Sequence, residues 1–313
     1  MRYIYAGAPA FSVPPLQQML AAGFCVCAVL TRPDRPVGRR AQLTPTPLKA
    51  FAQEAGIPVL DYERVRDHAA DLAALGADAL VTCAYGQILT QEVLDAFPRG
   101  VYNIHASLLP RWRGASPIQH AVWAGDAETG ITVMRTDVGL DTGDVLLRRA
   151  LSLDGTETAG GLAASLSALG GACICEALAA LEGGRASFTP QGEAGVTLCK
   201  KIKKEDAAVD FSRPAEELSR LVRAMAPEPL AWSSLRGTAV NFGYALPADG
   251  ADGADGGACG QVVRADKSGV YIRTGEGLLR VTELQFAGGK MLRAADAVNG
   301  RKVATCDVFG EKE

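Results

Sequence analysis

The chain has 313 residues, 48% of them hydrophobic and 21% charged, with a formal net charge of −3. That length and balance suffice for two buried cores without disulfides or a structural metal. They exclude a collagen-like, coiled-coil or globally disordered chain, and no run reaches the roughly 18 uninterrupted apolar residues of a membrane span.

Residues 1–7 lack the charged-then-apolar preamble of a secretory signal, so a cytoplasmic protein is expected, without contact with membranes. The eight cysteines include two C-x-C pairs, Cys25/Cys27 and Cys173/Cys175, but no paired C-x-x-C. Only His68, His105 and His120 could assist them, so no metal site is expected and the thiols read as buried or incidental. Residues 1–199 carry 15 basic and 19 acidic side chains, residues 200–313 carry 17 and 16. A mildly basic module behind an acidic one is compatible with a polyanionic partner and is weak evidence alone.

In chain order, residues 2–6 form an apolar run of strand length, and 14–22 set Leu16, Met19 and Leu20 on one helical stripe. A strand at 25–30, a helix at 47–55, a short strand at 58–60 and a helix at 68–75 follow. The alternation continues with a strand at 79–84, a helix at 91–96 and a strand at 100–105. Unbroken apolar strands, each followed by a helix, predict an α/β, Rossmann-like parallel sheet covered on both faces. Such sheets collect ligands at the carboxyl ends of their strands, beside the switch point. The first strand–helix turn, 6–11, lacks G-x-G-x-x-G, so no dinucleotide site is announced.

Further along, a helix is expected at 116–124, strands at 132–135 and 145–149, and a long Ala/Leu-rich helix at 163–181, softened by Gly170-Gly171. The expected division is a catalytic domain at 1–189, a linker at 190–206 without helical period, and a second domain at 207–313. There a helix at 215–225 precedes short strands at 239–242, 260–263, 270–274 and 278–283, the spacing of a small OB-like β-barrel. The Gly/Asp/Ala stretch 248–257 reads as a low-complexity loop within it.

Three stretches carry candidate chemistry. In residues 101–114, Asn103 and His105 lie two apart on a strand and project to one face at its end. An amide donor beside an imidazole can stabilise an oxyanion and manage a proton in acyl transfer, or be a polar pair satisfied locally. In residues 130–144, any of Asp137, Asp141 and Asp144 could orient the histidine and favour its protonated form, or form a turn with its own backbone. Residues 31–43 hold four arginines and one acid between a strand and a helix, a phosphate-contacting loop or a solvated one.

Asn103-x-His105, followed by Ser107-Leu108-Leu109-Pro110-Arg111-Trp112-Arg113-Gly114 and then Asp141-x-Gly143, resembles the folate-dependent formyltransferases. The resemblance implies a catalytic trio of Asn103, His105 and Asp141, and transfer of the formyl group of 10-formyltetrahydrofolate to an amine. The folate is then expected against Tyr85, Gly86, Ser107, Leu108, Leu109 and Pro110, as a co-substrate and not a resident cofactor. Residues 31–43 with Pro45-x-Pro47-x-Lys49 resemble the inserted loop with which RNA-acting members reach the acceptor stem of initiator tRNA. That implies the α-amine of methionyl initiator tRNA as acceptor, with Arg39 and Arg40 as contacts. Lys200, Lys201, Lys203 and Lys204, at the entrance of the basic module, would then track the tRNA phosphates, or belong to a solvated linker. A monomer is expected, and an amino-sugar nucleotide is the alternative acceptor. The likeness spans nearly the whole chain, with a departure at Ala226-Pro227-Glu228-Pro229, where the family usually has Asn and Trp for Ala226 and Glu228.

Overall fold

Tyr3, Ile4, Tyr5 and Ala6 are fully buried, which sets the first strand at the centre of a sheet rather than at its edge. The computed structural model describes residues 1–38, 41–248 and 257–310. The chain divides into two units: Met1–Pro117, Glu128–Leu151 and Ala163–Cys199 in one, Ile118–Ala127, Ser152–Leu162 and the chain from Lys200 onward in the other.

The strands of the first unit are β1 (Arg2–Gly7), β2 (Cys25–Leu30), β3 (Arg35–Val37), β4 (Gln42–Thr44), β5 (Val59–Leu60) and β6 (Ala79–Cys83). They continue with β7 (Val101–His105), β8 (Arg113–Gly114), β9 (Glu128–Arg135), β10 (Val145–Ser152) and β11 (Leu198–Cys199). Seven form one sheet in the order β10-β9-β7-β6-β1-β2-β5. The five strands from β7 to β5 are parallel, as their continuous apolar runs require, while β9 pairs antiparallel with β7. The chain order reverses between β1 and β6, so the crevice lies at their carboxyl ends. Gly7 closes β1 there: an added Cβ would lie 2.6 Å from the Ser12 Cβ and 2.8 Å from the Cys83 carbonyl.

The helix Ala159–Glu182 runs unbroken through Gly170-Gly171. A Cβ on Gly170 would meet the Ile104 Cγ2 at 3.0 Å, and one on Gly171 the Gln18 amide at 2.4 Å. The glycines therefore mark close packing against β7 and the helix Val13–Ala21, and do not soften the helix. Their propensity cost of about 1 kcal/mol each is offset by that approach. This helix is long and apolar enough to cross a membrane by length and composition, and half of its most apolar window is buried within the protein.

Residues 189–199, all but the first of which read as linker, are part of the first unit. Val145 and Thr189 form an antiparallel bridge, and β11 pairs in parallel with β8. Two-residue pairings leave no periodic trace in a sequence, so the segment's role is set by its partners.

The second unit contains β12 (Ala231–Leu235), β13 (Thr238–Ala248), β14 (Val262–Asp266), β15 (Gly269–Arg273), β16 (Leu278–Phe286) and β17 (Met291–Arg293). Its antiparallel sheet runs β12-β13-β16-β15-β14, with β17 beside β16. β13 is longer than its apolar run suggests, because Gly243 sits where the register with β16 shifts, at a bulge. Residues 307–310 tie the two edges together. Val262 donates to the Asp307 carbonyl at 2.8 Å, and Gly310 to the Ser234 carbonyl at 2.9 Å. The low-complexity stretch lies, except for its two ends, outside the described residues.

Phe211, Phe242 and Phe309 meet at the centre of this unit, with ring centroids 5.5–6.2 Å apart. Phe242 is fully buried, so Phe242→Ala is expected to destabilise this unit by about 3–5 kcal/mol. Scanning calorimetry checks this; a loss below about 1 kcal/mol would mean the cluster relaxes into the space.

Candidate active site

Asn103 and His105 stand in the last residues of β7, at the carboxyl end of the strand. Thr82 on the neighbouring β6 donates its hydroxyl to the Asn103 Oδ1 at 2.9 Å. With its oxygen occupied, the Asn103 side chain has its amide N–H groups left as donors. His105, two residues on and 5% exposed, stands with its Nε2 2.9 Å from the Trp112 carbonyl. A carbonyl only accepts, so this nitrogen carries the proton and Nδ1 faces the other way.

It faces Asp141. The Asp141 Oδ1 lies 3.7 Å from the His105 Nδ1, an ion-pair distance, while its Oδ2 accepts the Gly114 N–H at 2.8 Å. A proton on Nδ1 would therefore sit beside a carboxylate. Trp112 and Asp141 both have left-handed backbones, at φ 62° and 51°, in the loops that converge on the imidazole. Such conformations cost about 1–3 kcal/mol and persist where the surroundings enforce them. The enforcement is visible at Gly114 and Gly143, where an added Cβ would lie 2.3 Å from the Cys199 carbonyl and 1.7 Å from the Arg135 carbonyl.

Spacing left three acids open, and geometry separates them. Asp137 turns back on its own loop, accepting from the Gly139 N–H at 3.0 Å and the Thr142 hydroxyl at 2.8 Å. Asp144 is exposed, and its backbone carbonyl pairs with the Arg135 N–H. Of the three, Asp141 is the one whose carboxylate faces the His105 ring, its Oδ1 3.7 Å from the Nδ1.

The residues expected to meet folate divide likewise. Gly86 is exposed at φ 76°, and Leu108 and Pro110 are half-buried. Ser107 is buried, with its hydroxyl on the Arg111 carbonyl at 2.6 Å. Leu109 is buried too, its N–H on the Thr132 hydroxyl at 3.1 Å. Tyr85 is 4% exposed and its hydroxyl has no hydrogen-bond partner among the described residues. Arg39 and Arg40 lie outside the described residues. Lys200, Lys201, Lys203 and Lys204 are exposed in the second unit, with the Lys204 Nζ 5.9 Å from the centre of the Trp232 ring.

Cysteines flank the crevice without serving as nucleophiles. Burial pushes the Cys83 thiol up to about 12, and burial also raises that of Cys199. Both are thiols at neutral pH. Cys25, Cys259 and Cys306, by contrast, are exposed. Among the described residues no group of three His, Cys, Asp or Glu side chains could hold a metal ion.

Sequence reasoning passed over the residues that hold the trio in place. Thr82 orients Asn103 from the next strand. Thr197 accepts the Trp112 N–H at 2.8 Å, and the Gln191 Nε2 donates to the Asp141 carbonyl at 2.9 Å. Thr82 lies inside an apolar strand, and the other two lie where no periodic signal exists.

Residues 12–178 match the family described as formyl transferase, and residues 201–302 match the formyl transferase C-terminal domain. The chain belongs to the formyl transferase family. It is 44% identical over 304 residues to the methionyl-tRNA formyltransferase of Pseudomonas fluorescens (strain SBW25), covering 96% of this chain and 94% of that one. It is 46% identical over 304 residues to the methionyl-tRNA formyltransferase of Dinoroseobacter shibae, covering 96% and 97%. Among solved structures, HypX from Aquifex aeolicus in complex with tetrahydrofolic acid shares the fold at TM-score 0.65 and 19% identity, over 100% of this chain and 51% of that one.

Proposed function

We propose that the protein transfers the formyl group of 10-formyltetrahydrofolate to the α-amine of methionine esterified to initiator tRNA. One observation carries the reading: an amide donor, an imidazole and a carboxylate, from β7 and a separate loop, converge at the strand ends. Relatives that bear this name over nearly the full length support it.

The amine must attack as the free base. α-Amino groups titrate near ~8 in peptides, so a substantial fraction is already neutral and no strong base is required. What the site must supply is alignment and a home for the oxyanion. As the amine nitrogen bonds to the formyl carbon, the Asn103 amide N–H donates to the oxygen. The tetrahedral intermediate collapses with rupture of the bond to the folate nitrogen, which as it leaves takes up the proton the amine gave to Asp141, relayed through the His105 Nδ1. The proton lost by the amine passes to Asp141 through a water. His105, held by the Trp112 carbonyl and Asp141, carries its mobile proton at Nδ1. The folate lies along Tyr85-Gly86 and residues 107–110. Arg39, Arg40 and the lysines from Lys200 to Lys204 meet RNA phosphates. Because the acceptor is a tRNA, the reaction belongs to the cytoplasm, and since one chain supplies the whole trio a monomer suffices.

Incubating the purified protein with 10-formyltetrahydrofolate and charged initiator tRNA is expected to give formylmethionyl-tRNA on an acid gel. An amino-sugar nucleotide offered instead is expected to stay unmodified. Formylation of the sugar with no mark on the RNA would overturn the acceptor assignment. Arg39→Ala is expected to raise KM for the tRNA and flatten its salt dependence by about one unit of log–log slope, with turnover at saturation unchanged. An unchanged salt slope would remove Arg39 from the interface.

A further inference from the structure

The Asp141 carboxylate is only as well placed as its backbone, and that backbone is held from outside its own loop. The Gln191 Nε2 donates to the Asp141 carbonyl at 2.9 Å and to the Gly143 carbonyl at 2.8 Å. Its Oε1 accepts from the Arg113 Nε at 3.1 Å and the Arg113 Nη2 at 2.8 Å. One half-buried amide thus makes four hydrogen bonds, to both loops that meet at the imidazole. Arg113 lies between Trp112, whose carbonyl holds His105, and Gly114, whose N–H holds Asp141.

Gln191 is itself anchored. The Thr189 N–H donates to the Val145 carbonyl at 2.9 Å, and the Val145 N–H to the Thr189 carbonyl at 2.8 Å. Downstream, the Arg113 N–H donates to the Thr197 carbonyl at 2.9 Å and the Trp112 N–H to the Thr197 hydroxyl. The segment 189–199 therefore braces both loops, with Gln191 as the cross-link between them.

We infer that Gln191 is a positioning residue for formyl transfer, setting the separation of Asp141 from His105 by pinning the left-handed Asp141 backbone to the Arg113 loop. The inference rests on the proposed reaction and adds to it a residue that touches neither substrate. Its chemistry is specific. The side chain must donate to two carbonyls and accept from a guanidinium, which glutamine does and glutamate or methionine of similar size does not.

The test is a double-mutant cycle in the formylation assay. Gln191→Ala and Gln191→Glu are expected to lower kcat about 10- to 100-fold, the range a misplacement near 1 Å produces. KM for the tRNA and for the folate should stay within about twofold, because neither substrate loses a contact. In an Asp141→Asn background the same substitutions should cost less than about threefold, since a group acting through Asp141 has little left to lose. A residue that merely stabilises the fold would repeat its full cost there. Gln191→Glu keeps the volume and the Arg113 contact, so it decides the matter if Gln191→Ala does not fold. Wild-type turnover in Gln191→Glu, a rise in KM in place of the fall in kcat, or full additivity with Asp141→Asn overturns the inference. Running the variants also on hydrolysis of the formyl donor without an acceptor separates the two claims. Donor cleavage by the wild type with no mark on the RNA sinks the acceptor assignment, and the variant ratios still judge Gln191.

Discussion

Asn103→Ala is expected to turn over about 10²–10³-fold more slowly than the wild type, the usual cost of losing one donor to a developing oxyanion. The amide's oxygen is committed to Thr82, so its N–H groups are aimed by a bond outside the reaction. Alanine removes the donor and frees the Thr82 hydroxyl, a loss of about 1 kcal/mol of stability that leaves the fold standing. His105→Ala is expected to lose at least as much rate, because it removes the partner of both the Trp112 carbonyl and Asp141. The measurement is kcat at saturating substrates beside a denaturation midpoint. Near-normal turnover in either variant would take that residue out of the mechanism.

Gly143→Ala is the second substitution with a large expected effect. The new methyl would stand 1.7 Å from the Arg135 carbonyl oxygen, on β9. Backbone opposes backbone there, so no rotamer relieves the overlap and the loop must move. Asp141 lies two residues upstream, and the Gln191 bond to the Gly143 carbonyl is lost with any shift. A displacement near 1 Å is expected to lower kcat about 10²-fold, with about 1–3 kcal/mol of destabilisation from the overpacking. Gly192→Ala is the control: nothing lies within 4 Å of its added Cβ, and both turnover and stability should match the wild type. Equal turnover in the two variants would show that the loop's placement does not limit the reaction.

Much of this architecture can be read directly from residue order. The apolar runs at β1, β2 and β6 are nearly continuous because most of each strand is buried on both faces, and that continuity marks a parallel sheet before any coordinate exists. Asn103 and His105 are visible as a pair because strand geometry alone turns residues two apart to the same side. The glycines of the long helix mislead for a related reason. Propensity treats them as weak points, whereas the sheet beneath them needs their missing Cβ. β9 antiparallel beside β7, and the tie through residues 307–310 in the second unit, leave no local pattern to read.

Sequence alone determined which chemical groups are present and which face of a strand they occupy, because strand and helix periods are local properties of the backbone. Spacing named Asp137, Asp141 and Asp144 as equals, and the resemblance alone picked Asp141. The folded chain supplies the physical reason, by sending one carboxylate to the imidazole and turning another back on its own loop. The segment 189–199 was silent for the same reason: its contacts join residues some 50 to 85 positions apart, at distances fixed by tertiary packing and by nothing in its own composition.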